Sequence, residues 1–375
     1  MGKLFTVLGL MSGTSGDGVD ASIISSDGID QYKEILNKYY KYDQKIYKNL
    51  HSLRGKILRF SNLRENKNEI NNLEKDITLF HAKIVNEVSK LIDKKIDFIG
   101  FHGQTIYHNS LEKISKQIGD GNLLSQLTKK IVINNFRQND IKNGGEGAPL
   151  APIFHRLIVK HKKIDLPVCI LNIGGIANVT AIVEYNKNSF LSRDLGPGNC
   201  LIDEWVRNNT EEKFDKSGAI AKKGKTNELI LNQALDNFEN RPNQKSLSFD
   251  TKDFSLSFVR GLSLEDGAAT LTDFSGRIIS AGLVSFLSYA RDKLWKVLVC
   301  GGGRKNLTLI ERIEFKTLKN FIIQPIDDYG VDGDFIESQA FAYLAIRSYL
   351  KLPISFPSTT GCKEPVTGGI IIKNF

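Results

Sequence analysis

A glycine-rich segment at residues 9–20, GLMSGTSGDGVD, has the residue types that could bind phosphate. Phosphate oxygens require convergent N–H donors and close backbone approach, which glycine permits and hydroxyl groups supplement. The segment is neither a P-loop nor a dinucleotide-binding fingerprint, because it lacks G-K-[ST] and an apolar strand rather than a helix follows it. The candidate phosphate ligands are Ser12, Gly13, Thr14, Ser15, Gly16 and Gly18. On its own, the segment is equally well explained as an ordinary glycine-rich β-turn.

Two carboxylates, Asp17 and Asp20, accompany this turn. A carboxylate beside a phosphate is repelled unless a divalent cation lies between them, and Mg²⁺ takes one or two carboxylates together with phosphate oxygens. The pair therefore favours phosphate binding over a plain turn. We predict that Asp17 and Asp20 belong to the phosphate site and hold Mg²⁺.

Two more glycine clusters follow buried strands further along the chain. The segment LNIGGIANVT repeats the order of strand, turn and strand, with Gly174 and Gly175 in the turn and Asn172 and Asn178 as uncharged donors. The repetition suggests two related halves. The segment CGGGRKN, with Gly301, Gly302 and Gly303, closes a strand and would let an adenine or ribose lie against the backbone. A tight turn is the alternative for each cluster, but three in series make coincidence less plausible.

Two acidic residues are candidates for catalysis. Asp194 precedes the rigid turn Gly-Pro-Gly, and phosphoryl transfer needs a carboxylate that accepts the proton of the attacking oxygen. Glu337 lies in the first turn of a predicted helix. The alternatives are a turn-capping role for Asp194 and compensation of the helix dipole by Glu337.

His102 and Arg137 are candidates for substrate binding or for anchoring a loop. His102 and His108 in FHGQTIYH lack the spacing of a helical metal site, which disfavours metal ligation. Arg137 in NNFRQNDI could bind a carboxylate or a pair of hydroxyls through its planar guanidinium, although a surface arginine is an equal alternative.

Composition excludes several classes of protein. A chain of 375 residues has room for two domains with large cores. The net charge of +9 comes from dispersed lysines without basic blocks, which disfavours nucleic-acid binding, although a basic cleft would attract ATP. No apolar run could span a bilayer. The four cysteines show no C-x-x-C spacing, so we expect a cytoplasmic protein without disulfides or structural zinc.

Strands alternating with helices indicate an α/β fold. We predict strands at residues 4–10 and 19–24, surface helices within the Lys/Asn-rich residues 31–72, and amphipathic helices at 77–92 and 337–350.

In series, these motifs resemble the anhydro-N-acetylmuramic acid kinases of the hexokinase/actin-like ATPase superfamily. The resemblance covers nearly the whole chain and is most specific in FHGQT, GAPLAP, NIGGIANVT and LGPGN. It implies two actin-like (ribonuclease H-like) lobes around a central nucleotide and sugar cleft. The implied lobes are residues 1–137 with about 351–375, which carry the first phosphate hairpin, and residues 138–350 with the second hairpin, the adenosine loop and the catalytic aspartate.

The resemblance also implies an activity. The family opens the 1,6-anhydro ring of its sugar with water and phosphorylates O6 at the expense of ATP with Mg²⁺, in cell-wall recycling. Asp194 would deprotonate the water, and Glu337 would be a second active-site acid. The residues implied to contact the sugar are His102, Gln104, Arg137, Asn172, Gly196 and Asn199.

This sequence departs from the family pattern at several positions. We expected Leu at Gly16, Thr at Leu195, Gln at Glu146 and Pro at Gly121, and Ala-His in place of Arg304 and Lys305. Leu195 removes a hydroxyl next to Asp194, and Glu146 adds negative charge near an anionic sugar. None of these changes removes a carboxylate or a glycine that the chemistry needs.

Two rival functions remain open from the sequence. One is a kinase or ATPase of the same superfamily with another substrate, and the other is a non-catalytic nucleotide-binding module. Retention of Asp17, Asp20, Asp194 and Glu337 disfavours the second. We expect a small sugar and ATP as partners, with neither nucleic acid nor membrane. The sequence does not fix the oligomeric state, and a homodimer is left open.

Overall fold

The computed structural model describes residues 2–185, 190–241, 248–288, 293–316 and 320–375. It divides the chain into two compact units, Met1–Ile164 with Phe335–Phe375, and Asp165–Asp334. The predicted division therefore differs at both boundaries. Residues 138–164 and the helix that carries Glu337 belong to the first unit, because that helix packs on the first unit's own strands.

The first unit contains one mixed sheet and eight helices among the described residues. Its strands are β1 (Phe5–Ser12), β2 (Gly18–Ser26), β3 (Tyr32–Lys41), β4 (Phe98–Asn109), β5 (Ile114–Ile118), β6 (Ile131–Asn134) and β12 (Ile370–Ile372). Its helices are α1 (Gln44–Lys56), α2 (Phe60–Glu65), α3 (Lys67–Val88), α4 (Gly121–Thr128), α5 (Gln138–Lys142), α6 (Pro152–His161), α11 (Ile336–Tyr349) and α12 (Pro357–Thr360).

The sheet of the first unit has the order β12-β6-β4-β1-β2-β3, and β5 pairs with β4. β1, β2 and β3 are antiparallel neighbours, whereas β4 runs parallel to β1 and β6 parallel to β4. β1 is buried along its whole length, which explains its continuous apolar sequence. β1 and β2 therefore place the first glycine-rich turn at one end of the central hairpin.

Helix α11 lies directly on the central strands. A Cβ atom at Gly9 would come within 1.9 Å of the Ser338 carbonyl oxygen, and one at Gly100 within 2.3 Å of the Phe341 carbonyl oxygen. Only glycine allows the helix backbone to approach β1 and β4 this closely. The helix is buried on almost all sides, in keeping with its alanine-rich sequence FAYLA.

The second unit repeats the arrangement of the first. Its strands are β7 (Val168–Ile173), β8 (Ile176–Ile182), β9 (Phe190–Pro197), β10 (Trp295–Cys300) and β11 (Phe321–Pro325), in the order β11-β10-β7-β8-β9. β7, β8 and β9 are antiparallel neighbours, and β10 and β11 continue the sheet in parallel. This matches β6-β4-β1-β2-β3 strand for strand, which is the ribonuclease H-like arrangement that the resemblance implies. The two related halves inferred from the glycine turns are thus confirmed.

The helices of the second unit cover this sheet. They are α7 (Cys200–Asn209), α8 (Glu228–Glu239), α9 (Leu264–Phe286) and α10 (Leu307–Lys316). Short 3₁₀ helices lie at Lys216–Gly218, Ala221–Lys223, Thr251–Asp253, Leu256–Val259, Gly302–Lys305 and Ile326–Tyr329. In the described part of the chain, no helix combines the length and the hydropathy needed to cross a bilayer.

The surface helices predicted within residues 31–72 are α1, α2 and the start of α3, but a strand there was missed, and another predicted helix was displaced. Residues 31–72 are not only helical, because they begin with β3, whose side chains are mostly half-buried or exposed and whose lysines hid the strand pattern. The helix predicted at residues 77–92 is α3, which begins ten residues earlier and ends at Val88. The helix predicted at 337–350 is confirmed as α11.

The contact between α11 and β1 leads to a stability prediction. Gly9→Ala forces a methyl group into the Ser338 carbonyl, so we expect the free energy of unfolding to fall by at least about 1–3 kcal/mol. Gly55→Ala is the matched control, because Gly55 lies in α1 and a Cβ there meets no atom within 4 Å. We expect that control to be stabilised by about 0.5–1 kcal/mol. Urea unfolding measures both, and equal stabilities would contradict the close contact.

Candidate phosphate and sugar site

The turn between β1 and β2 is closed by its own backbone. The Gly16 N–H donates to the Gly13 carbonyl at 3.1 Å, and Gly16 has φ +66°. A Cβ at Gly16 would lie 2.7 Å from Cδ2 of Leu50. The family pattern predicts leucine at this position. Both the positive φ and the close packing favour glycine instead. A Cβ at Gly13 would meet no atom within 4 Å, so the opposite side of the turn is open.

Buried side chains support this turn from beneath. The Ser12 hydroxyl oxygen lies 2.5 Å from Oε1 of Gln104 and 2.8 Å from the Gly18 carbonyl oxygen. Nε2 of Gln104 donates to the Gly13 carbonyl at 3.0 Å, and Tyr42 OH donates to Ser12 at 3.1 Å. Gln104, predicted to bind sugar, is thus fully buried against the first glycine turn. Its contact with sugar stays a prediction.

The exposed part of the turn carries the remaining phosphate candidates. Ser15 is exposed and Thr14 is half-buried, and the Thr14 carbonyl accepts a hydrogen bond from Arg54 of α1. The turn is therefore fixed at its carbonyl groups by Arg54 and Gln104. Fixed carbonyl positions also fix the directions of the intervening N–H groups, which is what phosphate binding requires.

The charges of Asp17 and Asp20 both act on the phenol of Tyr39, which lies beside the turn. Tyr39 on β3 pairs with Asp20 on β2, and its phenol has a pKa raised to about 12, first by burial and then by the charges of Asp17 and Asp20. Two carboxylates match the share of a Mg²⁺ shell that a protein supplies when phosphates supply the rest. Among the described residues, no group of three or more acidic, His or Cys side chains could hold a metal by itself.

His102 and Arg137 contact each other in the first unit. Nδ1 of His102 lies 2.8 Å from the Gly103 carbonyl, which assigns the proton to Nδ1 and leaves Nε2 to accept from Arg137 Nη2 at 3.0 Å. Burial, and then the charge of Arg137, hold the pKa of His102 well below its usual value. A neutral imidazole thus orients the guanidinium, whose Nη1 also donates to the Gly147 carbonyl at 2.8 Å.

The loop that contains Glu146 is held in place by Asp140. Oδ2 of Asp140 accepts from the Gly147 N–H at 2.7 Å, and Oδ1 accepts from the Thr360 hydroxyl at 2.6 Å. The backbone N–H of Glu146 donates to the Thr360 carbonyl at 2.9 Å. The loop and Arg137 therefore form one hydrogen-bonded assembly. Gly121, another departure, begins α4, where a Cβ would contact Asn134.

Glu337 lies half-buried in the first turn of α11. The next residue, Ser338, is hydrogen-bonded to Ser22 of β2 at 2.6 Å and lies against Gly9 of β1. The sheet that carries the first glycine turn therefore also fixes the start of the helix. Both the catalytic role of Glu337 and the dipole alternative stay open.

In the second unit, the turn between β7 and β8 is bound to the segment that follows β9. The Gly174 carbonyl accepts from the Asn199 N–H, and the Gly175 carbonyl accepts from the Gly198 N–H, both at 2.9 Å. Nδ2 of Asn199 also lies within 3.3 Å of the Gly174 carbonyl. Asn199, predicted to bind sugar, thus contacts the second glycine turn, and its contact with sugar stays a prediction.

Asn172, Asn178 and Asp194 lie side by side on three neighbouring strands. Asn172 pairs with Asn178 across β7 and β8, and Asn178 pairs with Asp194 across β8 and β9. Asp194 is only 6% exposed, and its Oδ2 accepts a hydrogen bond from the backbone N–H of Phe249 at 2.8 Å. The carboxylate is therefore held in one orientation beside two amides.

The neighbours of Asp194 on β9 face the core. Leu195 lies in the hydrophobic core, and a Cβ at Gly282 of α9 would come 3.1 Å from it. Leu195 is the unpaired residue of a β-bulge between Asp194 and Gly196, and its side chain packs in this core, so this departure serves packing. Gly196 is required by contact, since a Cβ there would lie 2.5 Å from Cγ2 of Ile278.

The third glycine cluster follows β10 and lies beside the end of β7. A Cβ at Gly301 would come 2.3 Å from Oδ1 of Asn172, and a Cβ at Gly303 would come 2.2 Å from Cγ2 of Ile173. Gly302 is exposed and borders open space. The second turn, Asn172 and this loop therefore meet at the end of β7, whereas Asp17, Asp20, His102 and Arg137 belong to the first unit.

Arg304 holds the glycine loop through an ionic cluster that the sequence analysis missed. Nε and Nη2 of Arg304 bind the carboxylate of Asp327 at 2.8 and 3.0 Å, and Nη1 donates to Asp334 and to the Gly301 carbonyl. Lys305 pairs with Asp334 as well. The only sequence signal was the spacing of the acidic residues in DDYGVDGD. The Ala-His pair expected from the family could not form these contacts.

This cluster makes stability depend on pH. Burial alone would raise the pKa of Asp327 and of Asp334, but the hydrogen bonds from Arg304 outweigh it and hold both below the usual 3.8. A depressed pKa in the folded state stabilises the fold above about pH 4, and this contribution is lost as the pH falls through the folded-state values.

We therefore expect Arg304→Met to lower the free energy of unfolding at pH 7, because the hydrogen bonds to Asp327 and Asp334 are lost. The loss should be limited to about 1–3 kcal/mol, because these carboxylates are partly exposed and stay solvated. The difference from the unsubstituted protein should shrink as the pH falls below 4. Denaturant unfolding between pH 3 and 7 measures it, with Arg260→Met as the control because Arg260 is exposed in the same unit. A difference that does not change with pH would refute the ionic role.

The two units share one strand order and each carries a glycine turn on its central hairpin, which defines a duplicated α/β protein with two matching glycine turns. Comparison with known proteins identifies the family. A family model described as anhydro-N-acetylmuramic acid kinase matches residues 5–374. The chain belongs to the anhydro-N-acetylmuramic acid kinase family.

Individual relatives agree with that family. The anhydro-N-acetylmuramic acid kinase of Pelagibacter ubique (strain HTCC1062) is 58% identical over 375 residues, which is 100% of both chains. That of Zymomonas mobilis is 39% identical and covers 97% of this chain and 98% of its own. Among solved structures, a ROK family glucokinase from Streptomyces griseus with glucose and AMPPNP is 11% identical with a TM-score of 0.41, covering 90% of this chain and 98% of its own. That structural likeness is too weak to bear on function.

Proposed function

We propose that this chain is an ATP-dependent kinase that opens the 1,6-anhydro ring of anhydro-N-acetylmuramic acid with water and phosphorylates O6. The products are N-acetylmuramic acid 6-phosphate and ADP, and the setting is peptidoglycan recycling in the cytoplasm. The observation that carries the proposal is the family match over residues 5–374, together with retention of the acidic and glycine residues that such chemistry needs.

In the proposed reaction, Asp194 is the general base. It accepts a proton from the water whose oxygen attacks C1, the C1–O6 bond breaks, and O6 attacks the γ-phosphorus of ATP. The second water proton remains on the new hydroxyl at C1, and ADP leaves with the electrons of the broken P–O bond. The hydrogen bond from the Phe249 N–H to Oδ2 supports this role because it fixes the orientation of a buried carboxylate.

The glycine turns are proposed to bind ATP. Gly13 to Gly18 and the turn at Gly174 and Gly175 supply N–H donors to the phosphates, and the loop Gly301–Gly303 lies against the adenosine. Asp17 and Asp20 would hold Mg²⁺, which when bound neutralises phosphate charge. The first turn fits this role because its carbonyls are tied down by Gln104 and Arg54 while Ser15 and Gly13 remain accessible.

The remaining candidates are proposed to bind the sugar. Arg137 supplies a cation for the anionic lactyl group, and His102, kept neutral, orients it. The proposed sugar contacts of Gln104, Asn172, Gly196 and Asn199 follow from the family motifs, and Glu337 is proposed as the second acid.

The activity can be tested directly. We expect ADP release from ATP with anhydro-N-acetylmuramic acid, and a product whose 6-phosphate is verified by mass and NMR. Free amino sugars and other anhydrosugars form the comparison panel, and chelation of Mg²⁺ should abolish turnover until Mg²⁺ is restored. Faster turnover of another sugar would transfer the assignment to that substrate. ATP binding without turnover of any sugar would favour the non-catalytic module.

The base can be tested by substitution. We expect Asp194→Asn to lower kcat by about 10²–10⁴-fold with little change in ATP affinity, because the amide oxygen still accepts from Phe249 but cannot take a proton. Asp236→Asn, an exposed site on α8, makes the same change of charge and should leave kcat unchanged. Turnover of the Asp194 variant near that of the control would exclude Asp194 as the base.

A further inference from the structure

The orientation of Asp194 depends on a residue far away in the sequence. Phe249 follows Asp194 by 55 positions, and its backbone N–H reaches Oδ2 at 2.8 Å. Both residues are buried, so the hydrogen bond is shielded from water. A backbone donor can hold a carboxylate only if the donor's own segment is fixed. The structure shows how the Phe249 segment is fixed.

Arg241, just beyond the end of α8, is stacked between two aromatic rings. The centre of its guanidinium lies 3.7 Å from the ring centroid of Phe238 and 4.7 Å from that of Phe249. Its Nη1 donates to the Phe238 carbonyl at 2.7 Å. A cation placed over aromatic faces is attracted to them, most strongly where water is excluded. Arg241 therefore joins the end of α8 to the residue that donates to Asp194.

The same stack also contacts the strand of Asp194. A Cβ atom at Gly196 would come within 3.3 Å of Cζ of Phe238, so the Phe238 ring lies next to β9 two residues after Asp194. Phe254 completes the group, with ring centroids 6.2 Å from Phe238 and 5.7 Å from Phe249. Phe238 thus touches the strand of the acceptor while Arg241 holds the segment of the donor.

An arginine is a costly choice for packing alone. Nε of Arg241 is buried and makes no hydrogen bond within the described part of the chain. Burial, and then the neighbouring charge of Arg193, lower the pKa of Arg241, which indicates that the cation is destabilised at this position. An apolar side chain would fill the same space without that cost. The cost is offset if the guanidinium performs a task that an apolar side chain cannot.

We propose that Arg241 is a positioning residue for Asp194, which holds the Phe249 N–H against the carboxylate by stacking between Phe238 and Phe249. This inference rests on the proposed function, since it takes Asp194 as the base. Arg241 does not touch the reacting atoms in this scheme. Its contribution is to keep the carboxylate at the angle from which it takes the proton of the attacking water.

The test replaces the cation while keeping an apolar stem. We expect Arg241→Met to lower kcat at least about tenfold, since displacement of a catalytic group by about 1 Å can cost 10²-fold, with KM for ATP changed by less than about twofold. Arg241→Lys restores a cation and should recover most of kcat. Arg260→Met, an exposed arginine in the same unit, serves as the matched control and should behave like the unsubstituted protein.

A spectroscopic measurement separates positioning from loss of folding. In protein labelled with ¹⁵N-phenylalanine, the amide signal of Phe249 is identified by its disappearance in Phe249→Leu. It should shift in Asp194→Asn and shift in Arg241→Met, with the melting temperature measured alongside. If Arg241→Met does not fold, kcat and KM for ATP are measured in Phe249→Leu, which keeps the N–H but removes the ring and should lower kcat with little change in KM.

The outcomes distinguish this inference from the proposed function. An unmoved Phe249 signal in Arg241→Met, or a loss of kcat that lysine does not restore, overturns the positioning role. A loss that appears as a raised KM for ATP with kcat unchanged overturns it as well. If Asp194→Asn retains full turnover, the proposed base is wrong whatever Arg241 does. If Asp194→Asn is inactive and Arg241→Met is normal, only the present inference fails.

Discussion

Close contact between backbone and helix is the constraint on which this structure depends. Gly9 and Gly100 bring α11 against the central strands of the first unit, and Gly196 brings β9 against α9 in the second. A side chain at any of these positions would push a helix away from the sheet that carries a glycine turn. Glycine is therefore needed in the packed strands, where a side chain would collide with a helix. It is also needed within the first turn, where Gly16 has a positive φ.

Rigidity around the candidate site comes from polar groups that are buried in pairs. Ser12 with Gln104 and Asp194 with Phe249 each combine a buried donor with a buried acceptor, and the buried His102 accepts from the half-buried Arg137. A buried polar group is costly when unpaired, so each pair holds its geometry strongly. The His102 imidazole illustrates the point, since burial keeps it neutral and thereby able to accept a hydrogen bond from a cation.

The features that could be predicted from sequence are those with a local signal. Glycine turns after apolar strands, the helix at Glu337 and the duplicated topology all follow from residues close together in the chain. β3 was missed because it is an edge strand, where exposed lysines replace the apolar pattern of a buried strand. The contact of Phe249 with Asp194 was beyond prediction, because it uses a backbone N–H that every residue except proline possesses. Arg304 was noticed only as a departure, since its acidic partners lie more than twenty residues away.

The discontinuous first unit has a consequence for synthesis on the ribosome. Residues Asp165–Asp334 form the second unit as one uninterrupted segment, whereas the first unit needs Phe335–Phe375 to be complete. Until α11 has been translated, the face of β1 and β4 that it covers stays uncovered, although both strands emerged long before. The nascent chain therefore carries an incomplete apolar sheet in the first unit at a stage when all residues of the second unit have been synthesised. The second unit can therefore be complete on the ribosome before the first, and early chaperone binding would be directed to the first 164 residues.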